Sequence, residues 1–143
     1  MGKKLKRFQL MLVGCLVLIT VSLISGQPKT LGQSNASPLE IRCGWFSNPT
    51  PANTFLYDRD GQWTIEMQGG YQVAGNWDSP NFKPGQWVGT RPGVSDYGYG
   101  CACLQVRVNK KTQQVSEIKR SIAKPLAACR QDPALRKWRQ TFQ

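Results

Sequence analysis

Two cysteines one residue apart, Cys101-Ala102-Cys103, open a run in which Ala102, Leu104, Val106 and Val108 alternate with Cys101, Cys103, Gln105, Arg107 and Asn109. Period-two alternation of this kind is a strand with one face in a core. It also constrains the thiols. On an extended strand the two cysteines sit about 6.6 Å apart with parallel Cβ vectors, whereas a disulfide needs Cβ atoms roughly 3.5 to 4.5 Å apart. They cannot bond to each other, and each must look elsewhere in the chain. Cys43 and Cys129 are the remaining cysteines after residue 36. The expected set is therefore Cys43 and Cys129 bridged to Cys101 and Cys103, in an order that sequence leaves open. Because Cys101 and Cys103 share the polar face, these bridges form a second, smaller layer apart from the main core.

Bridging requires an oxidising compartment. Lys3, Lys4, Lys6 and Arg7 precede a charge-free apolar stretch from Phe8 to Ser25, the order of a secretory signal. Ser34-Asn35-Ala36 is the preferred cleavage site over Ile24-Ser25-Gly26. The stretch also approaches the roughly 20 residues that span a bilayer, so an uncleaved anchor is the competing reading and the one route to membrane contact. Leu12-Val13-Gly14-Cys15 resembles a lipobox but stands near the beginning of the apolar run rather than at its end. Residues 27–37, rich in Gln, Pro, Gly, Ser and Asn, read as a spacer. The expected organisation is a signal and spacer over 1–36 and an exported domain over 37–143, periplasmic or extracellular.

The chain has no histidine, which removes Ser-His-Asp and Cys-His catalysis and histidine-ligated metals. A four-thiolate zinc site wants paired C-x2-C spacing, which is absent. No metal and no cofactor is expected. The formal charge of +11 falls to +6 once residues 1–36 are removed, and residues 102–143 alone carry 10 basic and 2 acidic groups. Such a basic portion either attracts an anionic partner or simply keeps a small domain solvated. Without a nucleic-acid motif in an exported chain, nucleic acid is not the expected partner.

Along the domain, Leu39 to Cys43 reads as a strand feeding a rigid loop at Asn48-Pro49-Thr50-Pro51-Ala52-Asn53. Thr54–Tyr57 and Trp63–Met67 flank Asp58-Arg59-Asp60-Gly61 as a hairpin. The Asp58-x-Asp60-Gly61 resemblance to a calcium loop is set aside, because Gly69 stands where the closing Glu belongs. Residues 69–93 are broken by Gly and Pro into short pieces. Gln114 to Ile122 is read as the return strand of a second hairpin against a helix alternative raised by the spacing of Val115, Ile118 and Ile122. Asp132-Pro133 opens a short helix through about Trp138. The fold class is mainly β: a small antiparallel sheet or barrel-like domain with two disulfides and a short C-terminal helix. Trp45, Trp87, Tyr97 and Tyr99, expected in loops beside Gly and Pro, are the candidate residues of an aromatic binding platform.

Cys43-Gly44-Trp45-Phe46 with Asn48–Asn53, Asp58-Arg59-Asp60-Gly61-Gln62-Trp63-Thr64-Ile65, Gln68-Gly69-Gly70-Tyr71, and Tyr97-Gly98-Tyr99-Gly100-Cys101-Ala102-Cys103-Leu104 resemble, in this order, a family of small exported bacterial proteins known only as a domain of unknown function. The resemblance runs over roughly residues 40–132. It implies export and domain limits, and it carries over no catalytic residue.

The leading functional expectation is a non-enzymatic exported module that binds an envelope component or a protein, an inhibitor of an envelope hydrolase being one special case. The alternative is a thiol-disulfide protein using Cys101 and Cys103. A third reading is hydrolysis by two of Asp58, Asp60, Glu66, Asp78 and Asp96. Whether any reaction is catalysed is open at this stage.

Overall fold

The computed structural model describes residues 37–142; the expected signal, its cleavage sites and Cys15 lie outside them. Six strands, β1 (Glu40–Thr50), β2 (Asn53–Tyr57), β3 (Gln62–Glu66), β4 (Trp87–Arg91), β5 (Val94–Asn109) and β6 (Gln114–Lys124), are followed by a helix, α1 (Leu126–Gln131), and a 3-10 helix over Pro133–Trp138. The sheet order is β1-β2-β3-β6-β5-β4, and β1 also pairs with β5. Five strands thus return on themselves as a barrel, with β4 continuing the line of β6 along β5. All pairings are antiparallel except β3 with β6, which meet in parallel at Thr64 and Gln114. The expected antiparallel sheet is therefore mixed. In strand order this is the five-stranded Greek-key barrel of oligonucleotide- and oligosaccharide-binding domains with one strand added, a statement about architecture alone.

The alternation expected for the Cys101–Asn109 run holds. Ala102, Leu104, Val106 and Val108 point into the barrel with Phe46, Leu56, Trp63, Ile65, Val115 and Ile118. β6 is a strand, and its irregularities explain the helix-like spacing. The register against β5 shifts between Gln105 and Val106 and again between Arg107 and Val108, so Val115 faces Val108 and Ile118 faces Val106. Bulges keep both inside despite a spacing of three. Ile122, opposite Cys103, points out and is exposed.

One expectation is corrected. β1 runs on through the first proline: the register against β2 shifts between Ser47 and Thr50, a place where Pro49 is tolerated, and the turn is confined to Pro51-Ala52, with Ala52 at φ 51°. β6 ends at Lys124, directly before Pro125, which is also the N-cap of α1. The 3-10 helix begins where expected, the Asp132 side chain accepting from Ala134 N at 2.8 Å.

The outward-facing side chains of β1, β2 and β5 form the second layer. Trp45, Tyr99, Cys101, Cys129, Leu135 and Phe142 pack together, joined by Tyr57, Leu126 and Trp138. Phe142 stacks on Trp45 with centroids 5.5 Å apart and meets Tyr57 edge-on at 4.9 Å. Trp138 Nε1 donates to Asp58 O at 2.8 Å. The disulfides settle the open pairing: Cys43 bonds Cys103, directly opposite it on the neighbouring strand, and Cys101 bonds Cys129. The first bridge is partly in solvent; the second is enclosed in the outer layer.

Candidate functional site

The barrel has two ends of different chemistry. At one end Arg42 points inward from β1, level with Leu104. Its guanidinium lies 3.9 Å from the Trp63 ring centroid and donates to Asp58 (2.6 Å), Asp60 (2.8 Å) and Glu40 (2.8 Å). Burial alone would lower the pKa of Arg42, but hydrogen bonds to the three carboxylates raise it above its ordinary value. The hydrogen bond from Arg42 holds the Asp60 carboxyl below its usual range. Asp58 Oδ1 also accepts from the backbone N–H groups of Asp60 and Gly61, which locks the β2–β3 turn. The turn reading of Asp58–Gly61 over a calcium loop is thus the observed one. Asp58 and Asp60 serve Arg42.

A polar cleft of about 370 Å³ lies at the Arg42 end, lined by Arg42, Asp58, Asp60 and Lys110 among others, and the other end carries a second. A cleft of about 380 Å³ is lined by Phe46, Asn48, Thr54, Ser79, Pro80, Phe82, Trp87, Ser95 and Asp96. It sits at the mouth of a small barrel, a preferred place for a ligand site. Its aromatic wall is built on bare backbone. Gly98 and Gly100 lie on the inward face of β5, and a Cβ on Gly100 would stand 2.4 Å from Phe82 Cε1, while one on Gly98 would stand 2.8 Å from Trp87 Nε1. Glycine alone lets the two rings close on the strand. Phe82 then contacts Trp87 (4.9 Å) and Phe46 (6.0 Å). The segment that carries Phe82 is anchored across the β3–β6 seam, with Tyr71 Oη donating to Val115 O, Val73 N to Ile65 O, and Ser121 Oγ to Asp78 O.

Polar groups at the mouth are mostly acceptors. Asn48 Nδ2 donates to Asp96 O at 2.9 Å, and its Oδ1 is buried with no hydrogen-bond partner among the described residues. A buried acceptor left unpaired costs about 1 to 3 kcal/mol, so it is uncommon without a use. Trp87 Nε1 is spent on Ser95 O. Ser95 Oγ donates to Asp96 Oδ1. Glu66, beside Thr54, accepts from Thr54 Oγ1 and Trp77 Nε1.

Of the four expected platform residues, Trp87 stands in this cleft, on β4. Tyr97 is in β5, half-exposed, with the Arg91 guanidinium 5.1 Å from its ring centroid. Trp45 and Tyr99 lie in strands rather than loops, outside the mouth cleft, and at 2% and 5% exposure pack in the core of the outer layer. Their spacing carried the signal, since Trp45 is two residues from Cys43 and Tyr99 two from Cys101, each pair on one strand face. Asn48 and Phe82 were not singled out by sequence.

All four domain cysteines are bridged, and Cys101 and Cys103 bond to different partners. Among the described residues no group of three His, Cys, Asp or Glu could hold a metal ion. No helix of these residues is long and apolar enough to cross a membrane.

Residues 37–136 match the family described as protein of unknown function (DUF4087). The chain belongs to that family. The DUF4087 match begins at the first described residue, ends within the 3-10 helix and contains both disulfides and the whole mouth cleft. No curated protein and no solved structure matches the chain.

Proposed function

We propose that this protein is an exported, non-enzymatic binding module that holds a protein partner or an envelope component at the mouth of its barrel. The observation that carries the reading is the cleft itself: two ring faces, Phe82 and Trp87, beside the buried and unpartnered Asn48 Oδ1. Half-apolar concavities with a few fixed polar groups are the usual form of ligand sites. Export rests on the basic start and the apolar run Phe8–Ser25, and the two disulfides are consistent with an oxidising location outside the cytoplasm. A binding role rather than a catalytic one is supported by the use of Asp58 and Asp60 as partners of Arg42, which takes two of the five carboxylates considered for hydrolysis out of play.

The test is capture from envelope extract by the full chain, run in parallel with Trp87→Ala, Phe82→Ala and the double substitution Lys110→Glu/Lys111→Glu at the opposite end. The expected outcome is a partner retained by the parent and the lysine variant and lost by both ring variants. A partner that follows the lysines would move the site to the basic end.

A further inference from the structure

We propose that the mouth cleft accepts a positively charged side chain, arginine or lysine, projecting from a partner protein. The inference rests on the cleft being the binding site and adds what it recognises. The open groups there are ring faces, acceptors and a single neutral hydroxyl, that of Ser79, with no cation among the lining residues. Asn48 offers its Oδ1, its amide N–H being spent on Asp96 O. Asp96 is exposed at the lip, its carboxylate oriented by Ser95, with no cation within ion-pair distance among the described residues. Glu66, half-buried beside Thr54, accepts from two neutral donors and has no cationic partner either. The indole N–H of Trp87 is turned to Ser95 O, which leaves its π face as the group presented. A sugar ring asks for donors as well as acceptors, whereas an ammonium or guanidinium is donor-only and is drawn to carboxylates and aromatic faces.

The protein shows the same recognition solved internally. At the opposite end Arg42 lies on Trp63 and is bound by Asp58, Asp60 and Glu40. At the mouth the matching parts stand without the arginine: Trp87 and Phe82 for the ring, Asp96 for the carboxylate, and Asn48 Oδ1 as a further acceptor, with Glu66 behind Thr54 outside the lining. This is notable in a domain whose net charge is +6, where a surplus of cations would most readily have filled such a place. The volume of about 380 Å³ lies at the lower end for ligand sites, suited to one side chain rather than a length of polymer.

The experiment titrates the full chain, held in mild detergent micelles, with the blocked tripeptide Gly-Arg-Gly, its lysine counterpart, its neutral citrulline counterpart and the trimer of N-acetylglucosamine, following the Trp87 indole and Asn48 amide signals by NMR. The arginine and lysine peptides should shift both signals saturably. Citrulline should bind at least tenfold more weakly, Asp96→Asn should weaken arginine binding several-fold without altering the rest of the spectrum, and raised salt should weaken it further. Equal binding of citrulline, or preference for the sugar trimer, overturns the cationic ligand while leaving the cleft as the site. A partner captured in the preceding assay through the cleft, with no response to the cationic peptides at millimolar concentration, also overturns it. Loss of cleft dependence in the capture assay overturns the underlying reading instead.

Discussion

Removing the Cys43–Cys103 bridge by a Cys43→Ala/Cys103→Ala double substitution isolates what a cross-link contributes when the folded sheet already holds its ends together. The two residues are separated by 60 positions, and β1 and β5 are paired from Glu40–Val106 to Asn48–Gly98 on either side of the bridge. The native strands therefore keep their register without it, and the loss falls on the unfolded chain. Loop-closure entropy for that separation corresponds to about 4 kcal/mol at 25 °C. The Cys101–Cys129 loop of 28 positions gives about 3.6 kcal/mol on the same basis. Cys101 and Cys129 are also 2% and 3% exposed, so removing that bridge forfeits packing as well and should cost more in total despite the shorter loop. Urea titration followed by tryptophan fluorescence reads both. With an m-value of about 2 kcal/mol/M, 4 kcal/mol moves the midpoint by about 2 M, and m should rise as the unfolded state expands. If the Cys43/Cys103 variant kept the parent's midpoint, the unfolded state would be constrained by something other than this bridge. If it cost more than the Cys101/Cys129 variant, the outer layer would not depend on its buried disulfide.

Arg42→Ala should destabilise by about 3 to 5 kcal/mol, because Asp58 is left as a buried carboxylate without its cation; thermal unfolding reads this, and Arg42→Met/Asp58→Leu should recover only part of it, since the turn N–H groups of Asp60 and Gly61 lose their acceptor. Asp60 titrates below its ordinary value when folded, so its contribution is complete above the unfolded value of about 3.9 and is lost as pH falls through the lower folded value. Acid unfolding of the Arg42→Met/Asp58→Leu protein should lose that component. Glu117 is likewise lowered, by Lys119 first and then Arg107, and adds to the same acid limb in both proteins. Gly100→Ala should cost about 1 to 3 kcal/mol and displace Phe82 from Trp87, visible as a shifted Trp87 indole signal.

Much of the barrel was legible in the chain because its strongest elements obey local rules. The β5 alternation placed Ala102, Leu104, Val106 and Val108, and Asp58–Gly61 placed the hairpin. The bar on a Cys101–Cys103 bond followed from strand geometry alone. What was not legible depended on contacts between distant segments. The partner of each cysteine is set by the register that puts Cys43 opposite Cys103, a tertiary fact. α1, at six residues, is too short for a helical period to emerge, and Pro125 starts it as readily as it would end a strand. The mouth was hidden for a similar reason. Phe46 and Asn48 of β1, Phe82 and Asp96 come from three separate stretches and meet only once the barrel closes, so Trp87 drew notice only as an aromatic beside glycine and Asp96 only as one of five carboxylates.

The account stands on the mouth of the barrel being where a partner sits, and in-cell photo-crosslinking tests this most directly. A photoreactive phenylalanine analogue replaces Ser79, at the rim of the cleft, or Lys111, in the β5–β6 turn next to Lys110 of the Arg42 end. The account predicts a discrete crosslinked species from position 79, abolished by Trp87→Ala, and none from position 111. A species from position 111 with none from 79 would contradict it.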